Sequence, residues 1–405
     1  MKKLKVLMLT SSYPKNEDDN SSIFLKYLAE SIADKDIDVT ILAPDHADIA
    51  NRDSDFINHS IKIHHFHYLP KKLQLLAYGS GILPNIKKHP LLIFQIPFFF
   101  FSMLFSLINI CIKSKPDIIH AHWIIPQGLI AVIVGSILRI PVITTAHGAD
   151  AYALNNRLLS SIKKYVISKS QIWTSNTAST ANVIQMEKSK LVIIPMGVDI
   201  QQFSSGDATV LRRNIEEENI ILFVGRLVEK KGVRYLIEAF NNLTNSVKSQ
   251  SKLWIVGSGN ELSLLQKIIE DYKLSDYIKF FGDISNKDLP SYYAAADIFV
   301  APSIIDSSGD TEGQGVVLIE ALASRTPVIS TNTGGIHEVI SNNKTGLLVE
   351  PAQPEQLAKA IEQLLNNSFL KNKMIKNGFD HVTKTYGWSN IADKFISTYY
   401  SVVNK

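Results

Sequence analysis

The sequence predicts an α/β protein made of two consecutive parallel sheets, each wrapped by helices. Two observations carry this expectation. Short apolar runs alternate with helix-length segments along most of the chain, the pattern of β-α-β units and therefore of parallel strands. The runs also form two series, seven then six, more than one sheet comfortably holds; residues 197–219, with the turn Ser204-Ser-Gly-Asp207 and the acidic run Glu216–Glu218, separate them.

The elements follow in order. Met1-Lys-Lys-Leu-Lys5 has the charge of a secretory leader, but the apolar run Val6-Leu-Met-Leu9 is too short for one and turns polar at Thr10-Ser-Ser12. Residues 5–10 therefore read as the first strand. Further strands of the first series are expected at 38–44, 61–68, 117–123, 142–147, 171–176 and 191–196. Those of the second are expected at 220–226, 253–257, 278–282, 298–303, 327–331 and 346–349. From about Pro354 only helical patterns remain, and Gly387-Trp388 opens a final amphipathic helix. The expected organisation is two Rossmann-like domains, 1–197 and 198–385, facing each other across a cleft, with the helix 386–405 packing back on the first.

Composition narrows the class. With 405 residues, 45% hydrophobic and 20% charged, the chain is globular. Its single cysteine, Cys111, excludes an internal disulfide and suits a reducing compartment. The net charge of +4 is unevenly spread: residues 61–190 hold fourteen Lys or Arg against Asp117, Asp150 and Glu187, which favours an anionic partner there.

The most informative motif is Glu312-Gly-Gln-Gly-Val-Val-Leu-Ile-Glu320. It follows Phe299-Val-Ala-Pro-Ser303, a strand reaching its carboxyl end, where open α/β sheets bind ligands. Glu312 is then on the loop and Glu320 inside the next helix, while Gly313 and Gly315 let backbone N–H groups approach an anion at the helix start. Val224-Gly-Arg-Leu-Val-Glu-Lys-Lys-Gly232 places Arg226 at another strand end and Lys231 five residues on. Two cations there suit a diphosphate leaving group. Thr333-Gly-Gly335 gives a further glycine-assisted helix start, with Glu338 in its first turn. These features together point to a sugar attached to phosphates.

Arg226…Lys231, the Glu312/Glu320 pair, Thr333-Gly-Gly335 and Asn343-Lys-Thr-Gly-Leu-Leu-Val349 resemble the GT-B retaining glycosyltransferases of family 4 (glycosyl transferases group 1). So do Pro116-Asp-Ile-Ile-His-Ala-His-Trp123, Pro126-Gln-Gly128 and Thr145-Ala-His-Gly-Ala-Asp150 in the first half. The resemblance implies a nucleotide-sugar donor on the C-terminal domain, an acceptor on the N-terminal domain and transfer with retention; the convergence of Arg226, Lys231 and helix starts on one leaving group adds the expectation of a reaction with no metal and no cofactor. It assigns Arg226 and Lys231 to the diphosphate, Glu312 to sugar hydroxyls, Glu320 to the ribose, and His147 to the transferred sugar. Gly225, Gly313, Gln314, Gly315, Val316, Gly334 and Gly335 are expected to line the donor site. Ser21, Ser22, His122 and Asp150 are expected on the acceptor side or in the cleft; His120 and His122 are expected to face opposite sides of their strand, so that only one of them, His122, lines the cleft. The chain departs from the family in the loop after the first strand, which is long and acidic (Glu17, Asp18, Asp19) and has Ser21-Ser22 where glycine is usual. Either serine can equally cap the helix that follows.

Residues 91–112 form a run of 22 without a charge, containing Phe94, Phe98, Phe99, Phe100, Phe101 and Phe105. Its length would span a bilayer, but strands of one sheet are expected on both sides of it, and Pro97 is expected to interrupt any continuous helix. With Lys87, Lys88, Lys113 and Lys115 around it and few polar positions in it, the run is read as dipping into the interface of an anionic membrane. That would put the protein on the cytoplasmic face of the cell membrane, with a lipid-linked glycan acceptor for surface polysaccharide synthesis. Other readings are weaker. Gly257-Ser-Gly-Asn-Glu-Leu262 lacks the third glycine of a dinucleotide fingerprint, and Asp53-Ser-Asp55 and Asp36-Ile-Asp38 read as surface carboxylates rather than metal ligands. A nucleotide-sugar epimerase or a non-enzymatic membrane-associated binding protein are the alternatives the fold would also serve.

Overall fold

The computed structural model describes residues 3–16, 19, 21–49, 61–79, 81–152, 156–184, 188–213 and 219–404, without the side chains of residues 149, 150 and 188. Asp53 and Asp55, like Glu17 and Asp18, lie outside the described residues. The chain divides into two compact units. One comprises residues up to Asn176, Thr180–Ile194 and Trp388–Lys405; the other comprises Thr177–Ser179 and Pro195–Gly387.

The first unit holds β1 (Lys5–Leu9), β2 (Asp38–Pro44), β3 (Ile61–Phe66), β4 (Ile118–His122), β5 (Val142–Ala146), β6 (Ile172–Ser175) and β7 (Leu191–Ile193). The second holds β8 (Asn219–Val224), β9 (Ser251–Val256), β10 (Ile278–Gly282), β11 (Ile298–Ala301), β12 (Val328–Thr331) and β13 (Leu347–Val349). Every strand expected from the sequence is present, shifted at its ends by a residue or two in most cases. The orders are β3-β2-β1-β4-β5-β6-β7 and β10-β9-β8-β11-β12-β13, with all pairs parallel. In each sheet the winding direction reverses once, between β1 and β4 and between β8 and β11. The loops leaving the carboxyl ends of those strands therefore frame the crevice where doubly wound sheets bind ligands.

Period-two alternation builds the cores. In β1, Val6 and Met8 face the helices Ile23–Ala33 and Trp388–Val403, while Leu7 and Leu9 face the helices Ile96–Ser114 and Leu129–Leu138. The final helix thus belongs to the first unit, where Trp388, Ile391, Phe395 and Tyr399 are buried. In the second unit Ile221 and Phe223 of β8 face one core, and Ile220, Leu222 and Val224 the other.

Two expectations about the apolar run need correction. Pro97 does not interrupt the helix Ile96–Ser114 but sits in its first turn, where the missing N–H costs nothing. Phe99 is not a surface residue: it is 2% exposed and packs edge-on against Phe66 and Tyr68, with ring centroids 5.2 Å from each. The helical stretch Pro90–Ser114 is long and apolar enough to cross a membrane, yet one face of it is core, and β3 and β4, on either side of it, belong to the same sheet.

Candidate functional site

At the carboxyl end of β8 the chain turns at Gly225 and presents Arg226, which is exposed and has no side-chain partner among the described residues. The next residues form the short turn Glu229–Lys231, which is bound to the loop that follows β11. Glu229 accepts hydrogen bonds from Ser307 N (3.1 Å) and Ser307 Oγ (2.7 Å). Lys230 Nζ donates to Asp310 Oδ2 at 2.9 Å and to the Thr311 carbonyl at 3.3 Å. Lys231 Nζ bonds the Glu312 carboxylate, and both side chains are largely enclosed, at 14% and 17% exposure. Two residues expected to bind different parts of a ligand are therefore paired with each other. Burial pushes the Glu312 carboxyl up, but the Lys231 charge and hydrogen bond, with Lys230, outweigh it and hold it below its ordinary value. A narrow crevice here is lined by Phe223, Lys231, Ala301, Ser303, Glu312 and Gly315.

Gly315, at φ +77°, turns the chain into the helix Val316–Ala323, one turn along which lies Glu320. Its Oε2 accepts from Tyr293 Oη at 2.8 Å. Burial pushes the Glu320 carboxyl up to about 7, and the Tyr293 hydrogen bond and the Lys231 charge recover only part of that shift. Gln314 is buried and accepts from Met196 N (2.7 Å) while donating to Met196 O (2.9 Å), so its amide is committed to the chain that enters this unit. Gly334 and Gly335 have a packing role of their own. A Cβ on Gly334, at φ +54°, would fall 2.0 Å from the Glu312 carbonyl oxygen, and one on Gly335 2.0 Å from that of Gly313. Only bare backbone lets these two loops touch. Glu338 is likewise engaged, accepting from the N–H groups of Ala178 and Ser179 and from Ser179 Oγ, each at 2.8 Å.

In the first unit, His147 follows β5 directly and lies against Phe24 and Trp123, with centroids 5.1 and 4.9 Å away. His122 Nδ1 is 3.1 Å from His147 Nε2. The expectation that His120 and His122 face opposite sides is wrong: residues two apart on a strand share a face. Their rings are 4.1 Å apart, and His120 is held by Tyr399 Oη (2.8 Å) and Thr145 Oγ1 (2.7 Å). Burial depresses all three imidazoles, His120 and His147 to about 3, so the cluster is neutral at physiological pH. Ser22 occupies the position before the helix Ile23–Ala33 at φ +51°. Its hydroxyl does not cap the helix; it pairs with Ser12 Oγ at 2.6 Å. That left-handed conformation is one glycine adopts without cost, which accounts for the glycine usual there. Ser21 N donates to Asp19 Oδ1 at 3.0 Å. Asp150 lies in the short helix Ala149–Tyr152, with its side chain outside the described ones.

The structure brings Lys231, Glu312 and Gly315 together on one crevice, with Glu320 close enough to feel the Lys231 charge. Sequence reasoning missed Tyr293 as the partner of Glu320. Tyr292 and Tyr293 are adjacent, and only the helical face buried against β11 separates them.

Comparison with known proteins supplies the family. Residues 211–381 match the model of glycosyl transferases group 1, and residues 21–202 that of Glycosyltransferase Family 4. An uncharacterised glycosyltransferase of Methanocaldococcus jannaschii is 30% identical over 69% of this chain and 74% of its own. A putative teichuronic acid biosynthesis glycosyltransferase of Bacillus subtilis is 24% identical over 94% of both chains. Among solved structures, Anabaena HepE in complex with UDP-glucose superimposes with a TM-score of 0.73 over 98% of this chain and 100% of its own, at 17% identity. The two doubly wound sheets and these matches make the chain a GT-B glycosyltransferase, a member of glycosyl transferases group 1 and family 4.

Proposed function

We propose that this glycosyltransferase moves a sugar from a nucleotide-diphosphate sugar to a lipid-linked glycan acceptor, with retention of anomeric configuration, in the synthesis of a surface polysaccharide at the cytoplasmic face of the membrane. The observation that carries the donor half is the enclosed Lys231–Glu312 pair at the point where the second sheet reverses, with Arg226 exposed on the same loop as Lys231. A donor diphosphate brings negative charge to Lys231 and Arg226. Lys231 then exchanges one anionic partner for another, and Glu312 is released to accept from sugar hydroxyls next to the reacting carbon. As the bond to the leaving oxygen lengthens, charge grows on the diphosphate, and the two side-chain cations stabilise it there without a metal. Glu320 holds the ribose diol. His147, being neutral, contributes a hydrogen bond to the sugar rather than a charge.

Support for the nucleotide-sugar donor comes from HepE, whose structure holds UDP-glucose, and support for the polysaccharide setting from the teichuronic acid relative. The test is acceptor-dependent nucleotide release from UDP- and GDP-sugars. Arg226→Ala or Lys231→Ala lowers turnover ~100-fold or more, the scale of one lost preorganised charge. Wild-type turnover in either variant overturns the assignment, and loss of activity to a chelator, restored by a divalent metal, overturns the metal-free mechanism. The anomeric configuration of the product, read by NMR against that of the donor, decides retention.

A further inference from the structure

The helical stretch Pro90–Ser114 sorts its apolar side chains into two stripes. Phe99, Met103, Leu107, Ile110 and Cys111 are buried in the first unit. Phe94, Phe98, Phe101, Phe105 and Ile112 recur at helical spacing on the opposite side, between 54% and 70% exposed, and Leu91 before them is 78% exposed. A helix covering a sheet turns polar side chains to water on that side. Each of these rings instead shows more than half of the roughly 200 Å² such a side chain can present. Together they exceed the few hundred Å² at which an exposed apolar patch marks a binding surface.

The stripe is joined to the carboxyl edge of its own sheet. Ser102 Oγ donates to the His67 carbonyl at 2.7 Å and Gln95 Nε2 to the Leu73 carbonyl at 2.9 Å, fastening the helix to the segment that leaves the carboxyl end of β3. That segment adds Leu73 and Leu75, 54% and 55% exposed. The surroundings are basic. Residues 61–116 contain seven lysines and no Asp or Glu, and Lys72, Lys87, Lys88, Lys113 and Lys115 are exposed.

We propose that this stripe is a docking surface for an anionic lipid bilayer, entering to the depth of the upper acyl chains while the lysines meet the headgroups. It holds the carboxyl edge of β3 at the level where a lipid-linked sugar is presented, the part of the inference that rests on the acceptor reading above. Charge selects the occupant. A second copy related by a two-fold axis would bring the same lysine-rich rim against itself, and Asp45, the carboxylate that reaches this segment, is buried and already paired with His67 and Lys71. The anionic headgroups answer it.

The experiment is flotation of the full chain with vesicles of phosphatidylcholine alone and with phosphatidylglycerol added. The wild type floats with the anionic vesicles and less with the neutral ones, and added salt weakens the binding. The variant Phe98→Ser/Phe101→Ser/Phe105→Ser stays in the dense fraction, each lost ring lowering partition by about tenfold, while its UDP-glucose affinity and thermal melting remain those of the wild type. The proposal is overturned if the wild type fails to float at low salt, or if the variant floats as well as the wild type. It is equally overturned if the wild type is a dimer in solution that the triple variant dissolves. Flotation that succeeds while Arg226→Ala keeps full activity removes the donor reading and leaves the docking surface standing.

Discussion

With Glu320 placed on the donor ribose, as proposed above, donor binding depends on pH in a direction set by its buried carboxyl. Its carboxyl is pushed up to about 7 from an ordinary 4.5, because burial penalises the charge more than Tyr293 and Lys231 compensate. A ribose diol donates two hydroxyls, which an ionised carboxylate accepts best, so the donor selects the ionised form. With a midpoint of about 7, roughly nine-tenths of the free enzyme is ionised at about pH 8 and roughly one-tenth at about pH 6. Donor affinity therefore falls about tenfold between those values, and a proton is released on binding near neutrality. Calorimetry with the nucleotide sugar that the release assay selects suits the measurement, since the diphosphate of such a donor is esterified at both ends and does not titrate in this range. Tyr293→Phe removes a hydrogen bond to the ionised form worth about 1.5 kcal/mol, which moves the midpoint up by roughly one pKa unit. Glu320→Gln abolishes the dependence. A pH-independent affinity in the wild type, or an unchanged dependence in Glu320→Gln, would refute the reasoning.

Three further outcomes follow from the same geometry. Glu312→Ala frees Lys231 from its partner, so steady-state kinetics should show turnover reduced ~100-fold with donor KM unchanged or lower, whereas Glu320→Ala raises donor KM and spares turnover; equal loss of affinity in both with intact turnover contradicts the two roles. His147 stays neutral from about pH 5 upward, so it adds no step to the pH–rate profile there. A rise with a midpoint near the ordinary 6.5 of a histidine that vanishes in His147→Asn would show the ring to be charged. Gly334→Ala sets a Cβ 2.0 Å from the Glu312 carbonyl at a left-handed φ, costing about 1–2 kcal/mol for the backbone alone. It should lower the thermal midpoint and raise donor KM together, and a variant with neither change would mean that the two loops do not need their close contact.

The strand ends were legible because apolar runs of strand length, closed by Gly, Pro or Ser, encode where a chain leaves a sheet. Their order then follows from β-α-β chirality and winding. Arg226, Glu312 and Gly315 could be placed on loops at carboxyl ends for that reason alone. What the spacing could not encode is which side chain closes on which. Lys230 and Lys231 are adjacent cations on one turn. That the first takes Asp310 and the second Glu312 depends on how the loop after β11 folds over them, and that in turn depends on Gly334 standing bare against Glu312.

The histidines show the same limit from another side. The three imidazoles come from the end of β4 and the start of the loop after β5, strands paired so that His122 lies opposite Thr145, two residues before His147. The register that sets His122 against His147 is a property of the sheet, and a single strand read alone does not contain it. The period of two within β4 does, however, put His120 and His122 on one face. The apolar run divides in the same way. A count of phenylalanines marks it as unusual, while its helical period, taken from Pro97 as a first-turn residue, separates Phe99 and Met103 from Phe98, Phe101 and Phe105. The buried stripe is explained by Phe66 and Tyr68 behind it, and the exposed stripe has no apolar counterpart among the described residues, so its character fits the membrane surface proposed for it.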